Sequence, residues 1–171
     1  MGPKPEDDGV DVTIRPLRNA ADAAAFRALN EEWIASYFVV EEHDRRQLDD
    51  PIGTYIDTGG EILIAEVEGR RIGCVALVPD GTGGYELSKM AVSPELRDRG
   101  VGRRLLTAAI DRARELGAGS LFLGSSTKLA NAVHLYEALG FQHVPPETLQ
   151  MPYARADVFM ALVLTPAPPG R

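Results

Sequence analysis

Arg97, Gly100 and Gly102, within one six-residue stretch, have the types and spacing to hold a phosphate or pyrophosphate. Upstream, residues 85–92 (YELSKMAV) read as a strand that breaks at Ser93-Pro94. Downstream, Leu105, Leu106, Ala109, Ile110, Ala113 and Leu116 recur at the spacing of one helix face. The order is therefore strand, short loop, paired glycine, helix. Glycine lets a backbone approach a bulky anion without a Cβ clash, and the first-turn N–H groups and dipole of the helix then point at it. No G-x-x-x-x-G-K-[ST] is present, which excludes a P-loop nucleotidase. No G-x-G-x-x-G follows a strand either, so the dinucleotide fingerprint fails.

A second motif lies downstream, where residues 131–141 read NAVHLYEALGF. Arg97-x-x-Gly100-x-Gly102, following a strand that ends in Ala91-Val92, resembles the acyl-CoA pyrophosphate loop of the GNAT acetyltransferase family. Residues 131–141 resemble that family's N-x-x-x-x-Y-x-x-x-G-F helix. The resemblance is strong over 85–143 and continuous over about 10–165. Segments 37–44, 49–51 and 153–160 also resemble a bacterial subgroup of the family. It implies an α/β (α+β) fold, the GNAT acyl-CoA N-acyltransferase fold, with a mixed, mostly antiparallel central sheet flanked by helices. It also implies acetyl-CoA as cosubstrate, with direct attack by a primary amine in a ternary complex, and makes a homodimer a further expectation.

The same resemblance assigns roles. The backbone amides of Asp98, Arg99, Gly100, Val101, Gly102 and Arg103 would wrap the CoA pyrophosphate, with Arg97 at the loop entrance. For the arginine side chains an ordinary solvated first helical turn is the alternative, although positive charge there opposes the helix dipole and so accords with a bound anion. A backbone N–H at Met90, Ala91 or Val92 would polarise the thioester carbonyl. Tyr136 would protonate the leaving thiolate, or else pack in the core with Ala132, Leu135 and Leu139. Asn131 would contact the pantetheine arm or the loop, or simply open a helix.

Glu86 is the candidate general base, or a charge partner for Lys89 or an arginine. Strict alternation places Glu86, Ser88 and Met90 on one face of the strand and Leu87, Lys89 and Ala91 on the other. Glu41, Glu42 and His43 are further candidate bases or acceptor anchors, and a water relay is the family's other solution. Trp33, Tyr37 and Phe38 either wall the acceptor site or fill core. Ser125-Ser126-Thr127 either meets the pantetheine or caps the following helix.

Composition bounds the rest. The 171 residues are 44% apolar and 25% charged, as expected of a single globular domain. Apolar runs fall far short of the ~20 residues that span a bilayer, and no signal-peptide core is visible. A cytoplasmic protein with no membrane partner is expected. Cys74 is the only cysteine, which excludes an internal disulfide and leaves a buried small hydrophobe or a nucleophile. Three histidines and one cysteine in no ligand spacing give no expectation of a metal.

The net charge of −7 is uneven. Residues 1–60 hold 13 acidic and 6 basic residues, whereas the remainder holds 12 of each. Glu31, Glu32, Glu41, Glu42, Asp44, Asp49 and Asp50 cluster there. Facing an acceptor pocket, they would favour a small cationic amine; a solvated face is the other reading. No basic patch lies outside the phosphate loop, which disfavours nucleic acid. A protein lysine or N-terminus as acceptor, and a non-catalytic acyl-CoA-binding regulatory module, are the alternative functions.

Patterning predicts strands over 10–17, 61–68, 71–79, 85–92, 120–123, 141–144 and 156–164. It predicts helices over 20–30, with extension to 37, around 44–48, over 101–116 and over 129–139. The segments 1–9 and 166–171 read as disordered tails around a single domain at 10–165.

Overall fold

The computed structural model describes residues 11–148 and 155–164; the tails expected at 1–9 and 166–171 lie outside these, as do residues 153–154 of the segment 153–160. Seven strands form one sheet in the order β1-β2-β3-β4-β5-β7-β6. They are β1 (Thr13–Pro16), β2 (Glu61–Val67), β3 (Arg70–Pro79), β4 (Gly84–Val92), β5 (Ser120–Ser125), β6 (Gln142–His143) and β7 (Val158–Val163). Every neighbouring pair is antiparallel except β4–β5, which is parallel. The α/β character and the mostly antiparallel sheet expected from the motifs are both present.

Helices α1 (Ala20–Tyr37) and α2 (Glu42–Asp49) cover one face, and α3 (Val101–Glu115) and α4 (Ala130–Ala138) the other. This double cover explains why β2 and β3 are almost continuously apolar rather than alternating. Leu63, Ala65 and Val67 pack toward α3, while Ile62 and Ile64 pack toward α1. Six residues of the apolar stripe of α3 are buried, from Val101 to Ala113. The side chain of Asn19 accepts from the Asp22 amide at 2.9 Å and so starts α1.

Two local expectations shift. The β2–β3 turn is centred on Glu68 and Gly69, both at positive φ (50° and 76°), one residue earlier than the break between the strands expected at 61–68 and 71–79. A two-residue hairpin of type I′ needs positive φ at both central positions, and glycine sits at the second. A π-helical turn at Ile52–Ile56 was invisible to periodicity; it seats Tyr55 edge-on against Phe26, ring centres 5.6 Å apart. Among the described residues no helix is long and apolar enough to cross a membrane.

Candidate active site

β4 and β5 pair only through residues 84–86 and 120–122. Beyond that point β4 follows β3, while β5 pairs with β7 from Leu123 to Ser125. The two strands therefore splay, and a cavity of about 510 Å³ opens in the wedge. From the α3–α4 face it is lined by Gly100, Gly102, Asn131 and Tyr136, and from the α1 face by Trp33 and Tyr37. It thus crosses the plane of the sheet, so that reactants held on opposite faces can meet there.

β4 carries a bulge at this site. Cys74 pairs with Ala91 and Ala76 with Ser88, so Lys89 and Met90 together oppose Val75. Lys89 is left-handed, with φ of 55°. A non-glycine residue there costs about 1–2 kcal/mol, and the extra residue reverses the facing of everything after it. Leu87 accordingly packs toward α3 but Ala91 toward α1, which corrects the shared face that strict alternation assigned them.

Past the bulge the Ser93 amide donates to Ile72 O at 2.8 Å, while Val92 O accepts from Arg97 Nε at 3.0 Å on the opposite edge. Antiparallel alternation then directs the Ala91 amide to Cys74 and the Val92 amide into the wedge. Of the three expected carbonyl polarisers, Val92 is the one whose amide this alternation turns to the wedge, and all three line the cavity.

The phosphate loop is preshaped. Asp98 and Gly100 have φ of 62° and 81°, and Gly100 sits left-handed immediately before α3. The first bond across that helix start runs from the Arg104 amide to Gly100 O, 3.2 Å. The amides of Val101, Gly102 and Arg103 precede it and are the donors a helix offers to an anion. A Cβ at Gly102 would find only Leu135 Cδ2, at 3.9 Å, so the fold itself does not demand glycine there. Close approach of a ligand supplies a reason for it.

Asp98, Gly100, Gly102 and Arg103 line the cavity; Arg99 and Val101 do not. The Val101 side chain is core, leaving only its backbone for the ligand. Arg97 departs from the solvated-turn reading as well. Its guanidinium pairs with Glu32 and lies 4.6 Å from the centre of the Trp33 ring and 6.0 Å from that of Tyr37.

Tyr136 is both core and cavity wall, stacked edge-on against Phe141 at 5.8 Å. Burial pushes its phenol up to about 12, so it stays protonated at neutral pH and suits a proton donor. Asn131 is exposed in the first turn of α4 and lines the cavity. Glu86 also lines the cavity, and burial raises its carboxyl above the ordinary range, with Lys89 opposing. A carboxylate raised toward neutrality is matched to a base.

Lys89, one of the alternative charge partners for Glu86, bonds Asp44. Its ammonium, 4% exposed, lies 2.7 Å from Asp44 Oδ1. Asp44, fully buried, also accepts from Arg155 at 2.8 and 2.9 Å and from the Glu41 amide at 3.0 Å. Burial opposes the Asp44 charge, but the hydrogen bonds of Arg155 and Lys89 outweigh it and hold the carboxyl well below the usual range. Sequence reading missed this triad because its partners are 45 and 111 residues apart.

The acidic segment does not face the central cavity, since none of its seven carboxylates lines it. Glu31 and Asp49 pair with Arg27, Glu32 with Arg97, and Glu41 with Arg155. Glu41 lines a neighbouring cleft, whereas Glu42 and His43 line neither. Trp33, Tyr37 and Phe38 do wall the cavity, their rings in contact at 5.1 and 6.5 Å. Ser125 and Ser126 line the cavity, and Ser126 Oγ accepts the Lys128 amide at 3.2 Å, capping the short 3-10 turn Thr127–Leu129 that leads into α4 rather than α4 itself.

A splayed strand pair, an amide-lined loop at a helix start and a buried phenol across from it form one constellation, and comparison with known proteins places it. Residues 25–141 match the model of the acetyltransferase (GNAT) family. The chain is 34% identical over 101 residues to the uncharacterised N-acetyltransferase YjgM of Escherichia coli, a match covering 57% of this chain and 60% of that protein. It is 29% identical over 140 residues to an uncharacterised N-acetyltransferase of Schizosaccharomyces pombe, covering 80% of this chain and 86% of that one. The structure of yncA from Salmonella typhimurium, solved with its cofactor acetyl-CoA, superposes with a TM-score of 0.72 at 26% identity, covering 94% of this chain and 98% of that chain. With its phosphate loop, bulged strand and tyrosine helix all inside the matched region, the chain belongs to the acetyltransferase (GNAT) family.

Proposed function

We propose that the protein transfers the acetyl group of acetyl-CoA to the primary amine of a small cationic molecule, by direct attack in a ternary complex. The observation that carries this reading is the wedge cavity, which joins the amide-lined loop on one face of the sheet to the aromatic wall of α1 on the other. The loop amides from Asp98 to Arg103 hold the pyrophosphate, and Asn131 the arm that follows it. Glu86 accepts the proton of the attacking ammonium, directly or through a water. The amide of Val92 takes up the charge that develops on the carbonyl oxygen as the C–N bond forms. Tyr136 then gives its proton to the thiolate released as the C–S bond breaks.

Recognition of the amine passes from the acidic segment, which is engaged elsewhere, to Glu86. It is one of two carboxylates lining the cavity among the described residues; the other, Asp98, belongs to the phosphate loop. The test is thiol release from acetyl-CoA across amines, polyamines, amino acids, aminoglycosides and basic peptides, with Tyr136→Phe alongside. Turnover on a small cationic amine, with kcat reduced roughly a hundredfold and little change in the acetyl-CoA KM, is the expected result. Turnover on basic peptides alone would move the acceptor to a protein. Unchanged kcat in Tyr136→Phe would remove the general-acid role.

A further inference from the structure

Arg97 bridges parts of the site that have no other reason to be joined. It stands at the entrance of the phosphate loop, and its Nε donates to Val92 O at 3.0 Å, on the strand whose amides face the wedge. Its terminal nitrogen pairs with Glu32 of α1, and its guanidinium covers Trp33, the next residue of the same helix, at 4.6 Å. Glu32 is exposed enough, at 41%, to exchange partners, and Arg97 lines the cavity beside the loop amides. A pyrophosphate seated on those amides brings a stronger anion within the same neighbourhood than one carboxylate. An arginine fork binds a phosphate at least as well as a carboxylate and gains by being less exposed to water.

We infer that Arg97 is a positioning residue that couples the donor and acceptor halves of the site, the phosphate of the bound donor competing with Glu32 for its guanidinium. In the free protein the Arg97–Glu32 pair holds a cation over Trp33 and ties the α1 wall to the loop. When the guanidinium turns to the phosphate, Trp33 loses that cover, Glu32 is released and the aromatic wall of the acceptor side is free to rearrange. Donor binding thereby changes the contacts of Trp33 and Glu32 on the acceptor side. The coupling is reciprocal, so removing the competitor must strengthen donor binding.

This inference rests on the acyl-CoA reading of the loop, and one experiment separates the two. Trp33 is the only tryptophan in the chain, so its emission reports this position alone. CoA is titrated into the wild-type protein, Glu32→Gln and Arg97→Gln, following heat by calorimetry and emission with excitation beyond the adenine band. Circular dichroism confirms that both variants are folded. In the wild type, heat and emission saturate together. Glu32→Gln binds CoA roughly two- to fivefold tighter, the range an exposed ion pair supports. Arg97→Gln binds more weakly, and its emission no longer responds at saturation.

Saturating heat with unchanged wild-type emission overturns the coupling and leaves the loop reading intact. So does an equal emission change in Arg97→Gln, because Trp33 would then be sensing the ligand directly. Unaltered or weaker binding in Glu32→Gln overturns the competition. Absence of heat in the wild type overturns the acyl-CoA reading, and the coupling with it.

Discussion

Replacing Asp44 by Asn tests whether the buried ionic triad, rather than the surrounding hydrophobic packing, holds the acceptor end of the site together. Asp44 is fully buried and accepts four hydrogen bonds, from Lys89, twice from Arg155 and from the Glu41 amide. Asparagine keeps the shape but removes the charge beside a Lys89 ammonium that is only 4% exposed. Removing one partner of a buried pair costs about 3–5 kcal/mol, and the retained amide oxygen sets the expectation at the lower end. For a domain of 171 residues, 1 kcal/mol moves Tm by roughly 2–4 °C, so a fall on the order of 6–12 °C is expected at pH 7.

The pH dependence sharpens this prediction. The native Asp44 carboxyl is held below its unfolded value, so its contribution is complete above the ordinary carboxylate range and is lost as pH falls through and below it. The variant lacks that slope, and the gap in Tm between the two proteins narrows from pH 7 toward pH 3. On the alkaline side Lys89, already lowered by burial, loses the Asp44 bonds that oppose the lowering. The unfolded variant then binds more protons than the native one, so its stability rises with pH and the gap narrows again. Calorimetric Tm values across pH 3–10 measure both limbs. A gap below about 2 °C at neutrality, or one that does not change with pH, would refute the triad as a stabilising charge cluster.

Glu86→Gln should lower kcat/KM about a hundredfold and abolish the acidic limb of its pH profile, which in the wild type lies above the ordinary carboxylate range because Glu86 is buried; a retained limb would assign it to another group. Gly100→Ala places a Cβ in open space but forces alanine to φ of 81°. About 1–2 kcal/mol of stability should be lost, with a several-fold higher acetyl-CoA KM, and an unchanged Tm would argue against a fixed left-handed loop. Cys74, fully buried and pushed up to about 12 by burial, should resist iodoacetamide in the native protein and react on unfolding. Mass spectrometry reads both states, and rapid native labelling would show that the site opens.

The phosphate loop was legible in the chain because its chemistry is local. Gly100 and Gly102 next to an amphipathic run define a helix start whose amides face an anion, and no distant partner is needed. Tyr136 and Asn131 could be picked out for the same reason, as fixed positions on one short helix. Most strand and helix positions followed from the 2.0 and 3.6 residue periods that burial imposes. Periodicity assumes an uninterrupted element, however. The bulge at Lys89–Met90 broke that assumption and moved Ala91 to the opposite face from Leu87.

The charges were the least legible part, because a carboxylate written in a cluster acts through whatever cation the fold brings to it. Glu32 meets Arg97, 65 residues away, and Asp44 meets Arg155, 111 residues away. Only those encounters decide that the acidic segment is spent on holding α1 and α2 in place while Glu86 faces the cavity. The splay of β4 from β5 is likewise a property of two ladders ending at different points. From sequence came the glycine-paired helix start and the helix that carries the phenol. The tertiary structure decided that they share one cavity through the sheet, because pairing and charge neutralisation are settled between residues that the sequence keeps far apart.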